Sequence, residues 1–205
     1  MEYTGYLFDL DGVVFDTEPQ YSIFWGDQLK LYHPEQPGLE QKIKGQTLTQ
    51  IFDKYFSGPL EKERGVIVNR LDELERHMEF HYIPGFEPFI ERLKHAHKKT
   101  AIVTSSNCAK MENVYRKHPE LKGMMDAILT AEDFAESKPN PDCYLKAAAR
   151  LGLSPDECVG FEDSFNGLRA VRAAGMRVVG LATTNKAEDI RPYCDVVVSD
   201  YLTMA

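Results

Sequence analysis

The chain has 205 residues, with 24 Lys and Arg against 32 Asp and Glu, a formal net charge of -8 and 43% hydrophobic residues. This is an ordinary globular composition, long enough for one good core and a small second lobe. The negative balance argues against a nucleic-acid or membrane surface, though not against a small anionic substrate in a locally positive cleft; no apolar stretch nears the ~20 residues that span a bilayer.

In chain order, Tyr6-Leu7-Phe8 is a short apolar run that stops at Asp9 and predicts a buried strand. Thr17-Glu18-Pro19-Gln20 predicts a helix start, with Thr17 as N-cap, Gln20 closing a capping box and proline in the first turn. Tyr21, Phe24, Trp25, Leu29 and Tyr32 then share one helical face. His33 to Gly38 is a turn with two prolines. Leu48, Ile51, Phe52 and Tyr55 mark a second helix, which Ser57-Gly58-Pro59 breaks. A long charged helix is expected from about Leu60 to His81, with Ile67, Leu71, Leu74 and Met78 as its apolar stripe. Its mixed charges from Arg64 to Glu79 read as a solvated face, and His77 and His81 as solvated or packing histidines rather than half a zinc site.

After Pro84 the pattern changes to strands alternating with helices. Phe86, Phe89, Ile90 and Leu93 give a helix face, Ala101-Ile102-Val103-Thr104 a strand, Met111, Val114 and Tyr115 a helix, and Ala127-Ile128-Leu129 a strand. Asn140-Pro141 caps a helix that ends at Gly152. Cys158-Val159-Gly160-Phe161 is a strand ending at Glu162, Ser164 opens a helix running to Gly175, and Val178 to Leu181 and Val196 to Val198 are the last strands. This order predicts an α/β fold: a Rossmann-like parallel sheet with helices on both faces, interrupted by an all-helical insert. The core is expected at residues 1–15 and 84–205 and the insert at 16–83, with hinges near Phe15-Asp16 and near Tyr82-Pro84. Cys108, Cys143, Cys158 and Cys194 form no C-x-x-C pair and read as reduced, mostly buried thiols. The start Met1-Glu2-Tyr3-Thr4-Gly5 lacks the pattern of a secretory leader, which suits a cytoplasmic protein.

Ligands of open parallel sheets bind beyond the carboxyl ends of the strands. There the sequence puts Asp9 and Asp11, then Thr104, Ser105 and Ser106, then Glu162 and Asp163, with Lys138 before a helix. Four carboxylates converging on one space repel unless a cation lies between them, and an all-oxygen set with room for water and phosphate oxygens suits Mg²⁺. Thr104 offers a hydroxyl, Ser105 a backbone N–H and Lys138 a fixed cation, which together suit a phosphoryl group. A carboxylate can attack phosphorus, and a second one two residues on can pass the proton. Gly12 lets the chain turn so that Asp9 and Asp11 both face the site.

These residues carry a resemblance. Asp9-Leu10-Asp11-Gly12-Val13-Val14 resembles the D-x-D-G-[VT]-[VLI] signature of the haloacid dehalogenase-like hydrolase superfamily. Thr104-Ser105-Ser106, Ser137-Lys138-Pro139 and Glu162-Asp163-Ser164 resemble its second, third and fourth motifs, in the right order. Asp163-Ser164-Phe165-Asn166-Gly167 and the helical insert resemble the branch of beta-phosphoglucomutase and the sugar-phosphate phosphatases, whose insert is a small cap domain. The resemblance implies Asp9 as nucleophile and magnesium ligand, and Asp11 as acid/base and ligand through its backbone carbonyl. Thr104 and Lys138 would hold phosphate, Asp163 would ligate magnesium, and Glu162 would be a ligand or a partner behind one. Ser164 reads as an N-cap before a ligand.

The function expected is that of a Mg²⁺-dependent phosphatase for a small phosphorylated metabolite such as a sugar phosphate, acting as a monomer. In the insert, Tyr21, Trp25, Lys44, Gln46 and Thr47 are the candidates to face substrate, with core packing the stronger reading for Trp25. A beta-phosphoglucomutase-like mutase is the alternative. It is disfavoured because the histidine and arginine such enzymes carry near Tyr21 and near Lys44 to Thr47 are absent. A receiver-like signalling module, which also combines acidic pairs, Thr/Ser and Lys, does not account for the inserted lobe.

Overall fold

The computed structural model describes residues 3–44 and 46–204. In chain order its elements are β1 (Gly5–Phe8), α1 (Glu18–Tyr32), α2 (Leu48–Tyr55), α3 (Arg64–His77), α4 (Phe86–His95), β2 (Lys99–Val103), α5 (Cys108–Lys117), α6 (Leu121–Met124), β3 (Ala127–Leu129), α7 (Asp142–Leu151), β4 (Cys158–Glu162), α8 (Phe165–Ala173), β5 (Arg177–Leu181), α9 (Ala187–Ile190) and β6 (Val196–Val198). Every strand pairing is parallel, and the sheet order is β3-β2-β1-β4-β5-β6. The expected Rossmann-like sheet is therefore present, with β1 at its centre.

Side chains alternate across each strand, so the sheet feeds two cores. On one face Phe8, Ile102, Val159, Phe161 and Val179 meet Phe86, Phe89, Ile90 and Leu93 of α4 and Met111 and Val114 of α5. On the other, Leu7, Ala101, Val103, Cys158 and Val178 meet Cys143, Tyr144, Ala147 and Leu151 of α7 and Leu168 and Val171 of α8. Phe8 and Phe161 stack at 4.7 Å between ring centres, which locks β1 against β4 on the first face. Both faces being covered explains why the strands read as apolar runs rather than alternating ones.

The insert has a core of its own. Phe24, Trp25 and Leu29 of α1, Leu39, Ile43, Ile51 and Phe52 of α2 and the loop before it, Phe56, and Ile67 of α3 form a separate buried cluster. The two connections back to the sheet run side by side: Asp16 N donates to His81 O at 2.8 Å and Ile83 N to Val14 O at 2.9 Å, with a bridge between Phe15 and Tyr82.

Three local expectations are corrected. Thr17 stands at the N-cap of α1 with proline in the first turn, as expected, but its side chain caps nothing; the hydroxyl is drawn to Asp11 instead. Gln20 closes no capping box, whereas Thr47 and Gln50 form one at the head of α2. The helix expected from Leu60 to His81 begins as a 3-10 turn over Gly58–Glu63 and ends at His77. Met78 turns extended (ψ 138°) and packs with Phe15 and Phe80 in the sheet core, because the chain must straighten there to pair with residues 14–16. Cys143 and Cys158 are buried, Cys194 is half-buried and Cys108 is exposed; none of these thiols is in a disulfide. Among the described residues no helix is long and apolar enough to cross a membrane.

Candidate active site

Three adjacent strands, β2, β1 and β4, end together, and the residues just past their ends face one cavity of about 330 Å³. Asp9 and Asp11 follow β1, Thr104, Ser105 and Ser106 follow β2, and Asp163 follows β4; all line the cavity, with Lys138 from the loop before α7. The opposite wall comes from the insert.

Lys138 ties the cluster together. Its buried Nζ donates to Asp9 Oδ1 at 2.6 Å, to Glu162 Oε1 at 2.6 Å and to Val103 O at 3.0 Å. Tyr144 OH also donates to Glu162 Oε1, at 2.7 Å. Glu162 is wholly buried behind the cavity, so its Oε1 serves to hold Lys138 in place. Asp9, Glu162 and Asp163 nonetheless bring carboxylate oxygens within 4.8 Å of one another. Burial above all pushes Asp9 up to about 7, helped by Glu162 and Asp11 and opposed by Lys138. Asp163 is pushed well above the carboxylate range by burial, then by Glu162 and Asp9. Burial away from water is the larger cause for both groups, and the neighbouring carboxylates add to it; Lys138 offsets this only in part, at Asp9.

Asp163 is fixed from the loop after β5: Thr184 Oγ1 donates to its Oδ2, and Asn185 Nδ2 to its backbone oxygen at 3.0 Å. Gly12 lies against this carboxylate with φ +72°, and a Cβ there would collide with Asp163 Oδ2. Ser164 caps α8, accepting from Gly167 N at 3.1 Å, as expected. Thr104 is buried, and its hydroxyl accepts from Ser106 N at 3.0 Å, which shapes the turn after β2; α5 is capped by Asn107.

Asp11 has a different set of partners. Thr17 Oγ1 donates to Oδ1 at 2.6 Å, and Ser106 Oγ and Lys110 Nζ donate to Oδ2 at 3.2 and 2.5 Å. Burial pushes this carboxyl up, but Lys110 and the two hydroxyls outweigh it, and Asp11 is held below the usual range. Sequence reasoning missed both Thr17 and Lys110. Lys110 lies 99 positions from Asp11, and Thr17 carries the signal of a helix cap.

All five insert candidates line the cavity, with different degrees of freedom. Tyr21 OH donates to Glu75 Oε1 at 2.8 Å. Trp25 is buried edge-on to Phe24 while still bordering the cavity, so core packing and lining coexist. Lys44 Nζ reaches Thr184 O at 3.4 Å, bridging insert and core. Gln46 turns its amide to Lys42 O, and Thr47 spends its hydroxyl on the α2 cap.

A family model for haloacid dehalogenase-like hydrolases matches residues 6–181, a span that contains Asp9, Asp11, Thr104, Lys138, Glu162 and Asp163 and stops just short of Thr184 and Asn185. The chain belongs to the haloacid dehalogenase-like hydrolases. Within that family it is 30% identical to the fructose-1-phosphate phosphatase YqaB of Escherichia coli K12, over 86% of this chain and 95% of that protein. It is 29% identical to hexitol phosphatase A of the same organism, over 88% of this chain and 84% of that one. The fold matches a crystal structure of CbbY from Rhodobacter sphaeroides in complex with phosphate, with a TM-score of 0.78 and 22% identity over 99% of this chain and 96% of that one. It also matches beta-phosphoglucomutase from Clostridium difficile, with a TM-score of 0.76 and 23% identity over 99% and 93%. The sheet and its helical layers are thus those of a haloacid dehalogenase-like hydrolase.

Proposed function

We propose that this enzyme is a Mg²⁺-dependent phosphatase of small phosphorylated metabolites, sugar phosphates foremost, working through an aspartyl-phosphate on Asp9. The observation that carries the reading is the unequal pair at the end of β1. Asp9 faces Lys138 and the other carboxylates, while Asp11, two residues on, is held apart by Thr17, Ser106 and Lys110. The functions named for the relatives above support a phosphorylated sugar or sugar alcohol as substrate.

The residues present fit the ion. An all-oxygen set with a net excess of negative charge, in which Asp9 and Asp163 are both pushed up, is a site that a hard divalent cation completes. Asp9, Asp163 and the Asp11 carbonyl would hold it, with Glu162 buttressing Lys138 from behind. Mg²⁺ so held supplies charge neutralisation for the phosphoryl oxygens.

The protein's own groups do the rest. Thr104, Ser105 and Lys138 bind the phosphoryl group and orient it toward Asp9. An Asp9 carboxylate oxygen bonds to phosphorus as the bond to the leaving oxygen breaks, and Asp11, which takes up a proton as the anionic phosphoryl group arrives beside it, gives that oxygen the proton. Water then attacks phosphorus, Asp11 takes its proton, and phosphate leaves as Asp9 is restored. Residues 16–83 act as a cap that swings on the two bridged connections at Phe15 and Tyr82, closing over substrate and excluding bulk water. Tyr21, Trp25, Lys44, Gln46 and Thr47 border that space from the cap.

Phosphate release from sugar monophosphates, with and without Mg²⁺, tests the reading: release should require the ion. Incubation with beta-glucose 1-phosphate separates the alternative, because free phosphate marks a hydrolase and glucose 6-phosphate a mutase.

A further inference from the structure

The catalytic groups occupy one end of the cavity, and the insert forms the wall where the alcohol part of a monoester would lie, taking the phosphatase reading as given. That wall presents Glu18, Glu40, Asp72 and Glu75. Apart from Lys138 in the catalytic cluster, the cations among the described lining residues are Lys44 and Lys110, and no arginine lines the cavity. Of these, Lys110 is already committed to an ion pair. Lys110 Nζ lies 2.5 Å from Asp11 Oδ2. Lys44 Nζ donates to Thr184 O at 3.4 Å and faces Glu18, whose carboxyl burial and Asp11 push up to about 7 against the pull of Lys44. Glu75 accepts from Tyr21 OH, and burial pushes it above the usual carboxylate range. The wall is short of positive charge before any ligand arrives.

A leaving group with a second phosphate or a carboxylate would bring a further anion against four carboxyl groups, with Lys44 the one lining lysine among the described residues outside an ion pair to meet it. Hydroxyl groups would find acceptors there, and an ammonium would find charge-assisted ones. Tyr21 and Trp25 add ring surface for the carbon-bound faces of a sugar.

We infer that the enzyme selects monoesters whose alcohol part is an uncharged or amino-bearing polyol, and rejects those carrying a second anionic group, with Glu40 and Glu75 as the discriminating residues. The test is inhibition of p-nitrophenyl phosphate hydrolysis by matched pairs of monoesters. Glucitol 6-phosphate and 6-phosphogluconate differ in one terminal group, hydroxymethyl against carboxylate. Glucose 6-phosphate and glucosamine 6-phosphate differ by one amine. 6-Phosphogluconate should inhibit at least about tenfold more weakly than glucitol 6-phosphate, and glucosamine 6-phosphate at least as well as glucose 6-phosphate. The first gap should narrow with added salt and in Glu75→Gln and Glu40→Gln. Equal or tighter inhibition by 6-phosphogluconate, or a gap that neither substitution narrows, overturns the inference. Wild-type protein that hydrolyses no p-nitrophenyl phosphate in Mg²⁺ would instead overturn the phosphatase reading on which it rests.

Discussion

At the scale of single residues, two aspartates of the same kind end up in different chemical states because of what surrounds them. Asp9 lies among carboxylates with one lysine; Asp11 accepts from two hydroxyls and a lysine of its own. Asp9→Asn removes the attacking group and should lower kcat by more than about 1000-fold. Asp11→Asn removes the proton carrier and should cost about 100- to 10,000-fold on sugar phosphates. The loss should be much smaller on p-nitrophenyl phosphate, whose leaving group departs without a proton. Lys110→Met should show the same leaving-group dependence in weaker form, since Lys110 positions Asp11 rather than touching phosphate; equal losses on both substrates would contradict that role. Asp9, Asp11, Thr104, Lys138 and Asp163 were legible in the sequence because each sits at a strand end or in a short motif. Thr17 and Lys110 were not. Their roles arise only when α1 and α5 fold against the end of β1; in the sequence one reads as a cap and the other carries no local signal.

At the scale of elements, the buried chain Tyr144–Glu162–Lys138 runs from α7 through the last residue of β4 to Asp9. It explains a glycine. Gly167, in the first turn of α8, has no room for a Cβ, which would strike the Glu162 carboxylate. Gly167→Ala should therefore shift Glu162, lower stability by about 1–3 kcal/mol in urea denaturation, and reduce kcat by displacing Lys138. Strands were easy to read, because short apolar runs ending in acids leave few alternatives. Helix limits in the insert were harder. Gly58-Pro59 begins a 3-10 turn instead of a helix, and the straightening at Met78 answers to residues 14–16, more than sixty positions away. A long-range pairing of that kind has no local signature.

At the scale of the molecule, fold, site and charge deficit belong together: the parallel sheet brings the acidic ends of β1 and β4 to one point beside the hydroxyl-bearing end of β2, and burial then makes the carboxyls costly to ionise. The pH dependence follows with a definite sign. Asp9 titrates near 7 in the folded protein against an ordinary 3.8, and Asp163 is shifted the same way. The folded state then holds more protons than the unfolded one across that window, so metal-free stability should fall as pH rises from about 4 to about 7. Mg²⁺ favours the ionised forms and adds binding energy to the folded state. Urea midpoints at about pH 5 and about pH 7.5 should therefore drop between the two in EDTA, and the drop should shrink in Mg²⁺. A metal-free protein more stable at the higher pH would contradict the assignment.

The central claim is that a phosphoryl group passes through Asp9. Rapid acid quenching of wild-type enzyme turning over a sugar phosphate in Mg²⁺, followed by peptide mapping by mass spectrometry, tests it most directly. The added mass of one phosphoryl group should appear on the peptide carrying Asp9, and should be absent in Asp9→Asn. A phosphoryl group on any other residue, or an Asp9→Asn enzyme that releases phosphate at the wild-type rate, would contradict the account.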